Sequence, residues 1–181
     1  MKKILTGKKV AMIIAFQDFR DIEYFAPKDI LLDAGAEIIT VSTKKGIAKG
    51  ADGGEVEVSN SIDELEVEDF DGIIFIGGSG MVKQLDNEKF HAITKKVISA
   101  NKILGAICIA PAILAKSGVL NGKNSTVWSN DLDKSAIDIL NKYGAKYRNE
   151  AVVVDGKIVT ASGPEAAEKF GKVLIKELVH E

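Results

Sequence analysis

Of the 181 residues, one is cysteine, one tryptophan, two are histidine and three are proline. A lone cysteine closes no intramolecular disulfide, which fits a reducing compartment and leaves one free thiol to explain. His91 lies in a helical stretch and His180 beside the C-terminus, so neither is an evident base for that thiol. These few residues make no zinc site of recognisable spacing, and the acidic residues are scattered rather than grouped as calcium ligands. No metal and no cofactor is expected.

An excess of one charge is missing too. The chain has 24 Lys and Arg against 26 Asp and Glu, a formal net charge of −2. There is no basic stripe to collect phosphates and no polybasic segment to dock on anionic lipid, so neither nucleic acid nor membrane is an expected partner. The apolar run Val10–Phe16 follows the lysine-rich residues 1–9. It is less than half a membrane span and has no small-residue cleavage site, so no signal peptide is read and the expected location is the cytoplasm.

What the chain does have is 46% hydrophobic residues and 17 glycines, a composition for short turns around a filled core. The length fits a single domain over residues 1–181. Ile- and Val-rich runs at Lys9–Phe16, Glu37–Thr43, Gly72–Ile76, Ile103–Ile107 and Ile158–Ala161 predict buried strands of a parallel sheet. Between them Ile22–Ala34, Asn87–Ala100, Asp131–Tyr143 and Pro164–Val179 have helical spacing, as in Phe90, Ile93 and Val97. Gly35 and Gly144 end two helices, Asp86 or Asn87 caps another, and Pro164 suits a first helical position. Gly46–Ser59 and Val152–Ala161, with Asp-Gly turns, read as hairpins. The fold class predicted is α/β, doubly wound and flavodoxin-like, with a mainly parallel sheet between helices.

Open sheets of this kind bind ligands beyond the carboxyl ends of their strands. Four segments fall there: Gln17–Glu23, Gly77–Gly80, Cys108–Pro111 and Ser162–Pro164. Cys108 ends an apolar strand just before a helical run, and a helix N-terminus favours thiolate. A free cysteine is by default a small buried hydrophobe; its place at the turn from strand to helix is what sets this one apart. Asp18, Asp21 and Glu23 can each complement the dipole of the first helix, and any of them can reach across the crevice to trade a proton with Cys108. Gly77, Gly78, Ser79 and Gly80 either expose N–H donors for an oxyanion or reverse the chain. No phosphate loop and no dinucleotide fingerprint is present, and no strand-end aspartate follows Ile76 to make a phosphoryl receiver.

The run Ile103 to Pro111, reading ILGAICIAP, resembles the AIC-x-[GA]-P nucleophile elbow of the ThiJ/PfpI superfamily. Gly77-Gly78 after Ile76, Ser162-Gly163-Pro164, and Glu23 four residues before Pro27 resemble that family as well. The superfamily includes intracellular proteases, glyoxalases and protein deglycases. The resemblance implies Cys108 as nucleophile, Glu23 as its proton partner, and the N–H groups of Gly78 and Ile109 as oxyanion donors. Gly77, Ser79, Trp128, Ser162 and Gly163 would line the pocket. It also implies a homodimer or larger homo-oligomer, and a small-molecule or protein-adduct carbonyl as substrate. Two departures stand out: Ile109 replaces the histidine of the protease branch, and Trp128 replaces a deglycase-branch histidine. The leading expectation is therefore attack by a Cys108 thiolate on a 2-oxoaldehyde or its adduct. The alternatives are a peptidase or other small-molecule hydrolase, and a redox sensor or holdase working through Cys108 oxidation.

Overall fold

Strands apolar on both sides must be covered on both sides, and here alternate residues divide between two cores. The computed structural model describes residues 3–180; the first two lysine-rich positions and the last residue of the expected domain lie outside them. In chain order the strands are β1 (Lys9–Ile13), β2 (Gln17–Phe19), β3 (Glu37–Ser42), β4 (Gly46–Gly50), β5 (Glu55–Val58), β6 (Asn60–Ser61), β7 (Gly72–Phe75), β8 (Ile103–Ile107), β9 (Asn124–Ser125), β10 (Lys146–Tyr147), β11 (Val152–Asp155) and β12 (Ile158–Ala161). The helices are α1 (Asp21–Asp33), α2 (Ser79–Val82), α3 (Glu88–Ser99), α4 (Pro111–Lys116), α5 (Ser135–Lys142) and α6 (Ala167–Val179).

Seven strands form one sheet in the order β11-β12-β8-β7-β1-β3-β6, parallel except for β11. Ala11, Ile13, Ile73 and Phe75 face one core with Phe90 and Val97 of α3, Ile113 of α4 and Leu140 of α5. Val10, Met12, Ile74 and Ile76 face the other with Tyr24 and Leu31 of α1 and Phe170, Leu174 and Leu178 of α6. This is the doubly wound, flavodoxin-like arrangement that the alternation of runs predicted. Both predicted hairpins form, as β4–β5 and β11–β12. After β6, which pairs beside β3, the chain crosses to the other side of β1, so a crevice opens beyond the carboxyl ends of β1, β7 and β8.

Two helix boundaries differ from the spacing, for local reasons. The segment predicted as helix from Asp131 is a capping loop as far as Lys134. Asn130 Oδ1 accepts from Leu132 and Asp133 N–H at 2.8 Å, and Asp133 Oδ1 accepts from Ser135 N–H at 2.9 Å. The last helix starts as a 3₁₀ turn at Pro164–Ala166 before α6 begins. The N-cap of α3 is Asn87, whose side chain accepts from Lys89 and Phe90 N–H.

α1 and α6 cross closely because Gly171 has no side chain there; a Cβ would lie 3.0 Å from Pro27 Cα. On the same face Phe170 is fully buried and fills the space over Gly105, where a Cβ would meet its ring at 3.2 Å. Phe170→Ala is expected to lower the unfolding free energy by about 3–5 kcal/mol through lost burial and the cavity left behind. Urea denaturation checks this, as a lower midpoint with little change in slope.

Candidate active site

The strand β8 ends at Ile107, and Cys108 makes the turn into α4 with φ 64°, a left-handed value that non-glycine residues rarely hold. Two backbone hydrogen bonds lock it. Cys108 N–H donates to Ala161 O at 2.9 Å, continuing the ladder to β12, and Cys108 O accepts from Trp128 N–H at 2.9 Å. A strained residue held by its surroundings on a strand-to-helix turn points its side chain out of the sheet, the geometry of a nucleophile elbow.

Glu23 comes from the first turn of α1 and has no solvent exposure. Gly77, at the end of β7, lies between it and the cysteine: a Cβ there would sit 2.6 Å from both Cys108 Cβ and Glu23 Oε2. Only glycine lets the two groups meet. Gly78 is equally confined, with Asp18 O and Arg20 N each 2.5 Å from where its Cβ would be. Arg20 N–H donates to Gly77 O at 3.1 Å, which ties the start of α1 to the end of β7. The glycine run is therefore required for close packing, and it also presents an N–H to the cysteine.

Burial pushes the Glu23 carboxyl up from 4.5 to about 7. Neither oxygen closes a hydrogen bond of full geometry. The Cys108 thiol, the Arg20 guanidinium and the Gly77 N–H lie close enough to offset only part of that cost. Burial, then the facing Glu23 carboxylate, push the Cys108 thiol up as well, while the N–H groups of Ile109 and Gly78 pull it down. This corrects the expectation that a helix terminus would dominate. α4 has six residues and begins three positions after Cys108, too short and too far to outweigh desolvation. The two groups titrate as a pair, doubly protonated below about pH 7 and singly protonated above it.

Asp18 and Asp21, the other candidate carboxyls, are placed differently. Asp21 accepts from the N–H groups of Asp52 and Gly54, at 2.9 and 2.5 Å, and clamps the β4–β5 turn. Asp18 is exposed at φ 60°.

A cavity of about 310 Å³ opens over the cysteine. Its wall includes Cys108, Gly78, Ser79, Ile109 and Trp128, all expected there from the sequence. Spacing did not single out Arg20, Val82, Leu85, Asp133, Ser135 and Ile139, which line it together with Pro164 of the Ser162–Pro164 segment. Arg20 lies in a segment already marked as a strand end, so its place was within reach; its Nη1 is held 3.2 Å from Asp52 Oδ1. Ser162 and Gly163 line not this cavity but a neighbouring one beyond Trp128. Neither described histidine lines the cysteine cavity, and His91 Nε2 is bonded to Leu85 O at 2.8 Å.

Known proteins are similar over almost the entire chain. A Methanocaldococcus jannaschii protein described as uncharacterized is 37% identical over 96% of this chain and 84% of its own. Deglycase PfpI of Pyrococcus furiosus is 31% identical over 84% of this chain and 89% of its own. The crystal structure of a ThiJ/PfpI domain protein from Brachyspira murdochii superposes with a TM-score of 0.91 at 28% identity, covering 96% of this chain and 97% of that one. Residues 8–177 match the DJ-1/PfpI family, and with the relatives' identity and coverage this places the chain in the DJ-1/PfpI family.

Proposed function

We propose that the protein is a deglycase-like enzyme in which Cys108 attacks a small electrophilic carbonyl, a 2-oxoaldehyde or its adduct, and Glu23 moves the protons. The observation that carries this reading is the pair itself: a thiol on a strained turn, lining a cavity, with a buried carboxyl behind it. Relatives named as deglycases support the class of activity.

Above about pH 7 the pair holds one proton, on sulfur or on oxygen. In the second form the thiolate is held by the Gly78 and Ile109 N–H groups while Glu23 is an acid. With a 2-oxoaldehyde, the sulfur bonds to the aldehyde carbon and the former carbonyl oxygen takes up a proton, giving a hemithioacetal. Glu23 then takes the proton from that carbon and returns it to the neighbouring one while the hemithioacetal hydroxyl proton passes to the former ketone oxygen, so the ketone becomes an alcohol as the sulfur-bearing carbon becomes a thioester. Water releases the 2-hydroxy acid and restores the thiol. No outside oxidant is needed, because one carbon is oxidised as its neighbour is reduced.

Peptide cleavage fits less well. The one group beside Cys108 that titrates near neutrality is Glu23, and it already shares its proton with the thiol; Ile109 follows the cysteine, and no described histidine lines the cavity to protonate an amine leaving group. Methylglyoxal consumption is expected for wild type and to fall at least 100-fold in Cys108→Ala. Cys108-dependent cleavage of casein or fluorogenic peptides without aldehyde turnover would replace this reading with a peptidase.

Two further outcomes follow from the titration. Alkylation of Cys108 by iodoacetamide is expected to rise with a midpoint near pH 7 as the pair loses its first proton. In Glu23→Gln the midpoint should move up, since burial still opposes the thiolate and no carboxyl can take its proton. An ordinary thiol profile, or no labelling until unfolding, speaks against the pair.

The folded Glu23 carboxyl keeps its proton to about pH 7 and the unfolded one releases it near 4.5, so in this window the folded state binds more protons. Its contribution is fully present below about 4.5 and lost as the pH rises to about 7. Glu23→Gln should therefore gain on wild type by roughly 1–3 kcal/mol between pH 5 and 8, read from urea midpoints at each pH.

A further inference from the structure

Beyond Trp128 lies a second cavity of about 410 Å³. Trp128 and Pro164 line both it and the cysteine cavity, so the two are neighbouring compartments with a shared wall. Trp128 is anchored in that wall: its backbone N–H donates to Cys108 O, and its Cδ1 lies over Gly163, 3.1 Å from where a Cβ would be. A molecule too large for the first compartment would extend into the second.

The lining has a consistent chemistry. Trp128 and Tyr147 are aromatic, Glu165 is a carboxylate, and Asn149 and Ser162 offer side-chain oxygens. None of the described lysines or arginines lines it. Arg148, between Tyr147 and Asn149 in sequence, is turned to Asn124, with Nε donating to Oδ1 at 2.8 Å. Glu165 also sits in the first turn leading to α6, where its charge already meets the helix terminus and repels any anion that would settle there. Aromatic faces with one carboxylate and no competing cation attract an organic cation through the ring quadrupoles and the charge.

We infer that this second cavity binds a guanidinium or ammonium group carried by an amino-acid-sized molecule.

Trp128 is the only tryptophan, so its fluorescence reports on this wall alone. Titration of the full chain with Nα-acetyl-argininamide is expected to give a saturable change, and the neutral isostere Nα-acetyl-citrullinamide a far weaker one. The arginine response should persist after Cys108 is alkylated. Glu165→Gln, at an exposed position, should weaken it about 3- to 5-fold and leave the Cys108 alkylation rate unchanged. Tyr147→Ala should weaken it by a similar factor. Free arginine is compared with the capped probe: tighter binding of the capped form assigns the cation to a polypeptide, the reverse to a free amino acid. No saturable change, an equal response to citrullinamide, or an affinity unmoved by Glu165→Gln overturns the inference. If wild type fails to consume methylglyoxal but still binds the cation, the catalytic reading falls and this one stands.

Discussion

A carboxyl group with no solvent exposure and no hydrogen bond of full geometry rests against the only thiol in the chain, and most of the local structure is arranged around that contact. An isolated buried carboxylate is costly, so the group holds a proton to a higher pH than usual or shares one with the sulfur. The contact exists because Gly77 has no side chain, because α1 starts where the β7 terminus holds Arg20, and because β12 and Trp128 keep Cys108 in a left-handed conformation. Each constraint belongs to a different element, so the pair is a product of the whole crevice and not of one loop.

The same dependence explains the glycines after β7. Such a run can be a loose anion loop or a closely packed crossing. Here it is first a crossing: Gly77 makes room for the thiol and carboxyl, and Gly78 for the backbone of Asp18 to Arg20. Its N–H donors serve the sulfur because the packing has already brought them there. Asp21 shows the converse case. It lies two residues before Glu23 yet clamps the β4–β5 turn, and that turn holds Asp52 against Arg20 on the cavity wall.

Charge is arranged unevenly around the site. Arg20 and Asp133 both line the cysteine cavity, whereas beyond Trp128 the one charged lining group is Glu165. Trp128 thus divides two compartments of different polarity. Glu23 is the carboxyl that faces the thiol.

The layered fold was legible in the sequence because burial on both faces of a parallel sheet writes itself as Ile- and Val-rich runs, and Ile103–Ile107 and Ile158–Ala161 carry the same limits in the structure. The elbow at Cys108 was legible for a similar reason, since the cysteine directly follows a strand end and a proline three residues on opens a helix. The choice among Asp18, Asp21 and Glu23 was not, because all three sit at one helix start and only the approach of β7 and the β4–β5 turn decides which one is buried. Nor could composition show that desolvation would outweigh a short helix at the thiol, or that Ser162 and Gly163 would face a second cavity. Periodicity is a property of neighbours along the chain; burial of a charge and the shape of a cavity arise only when distant segments pack together.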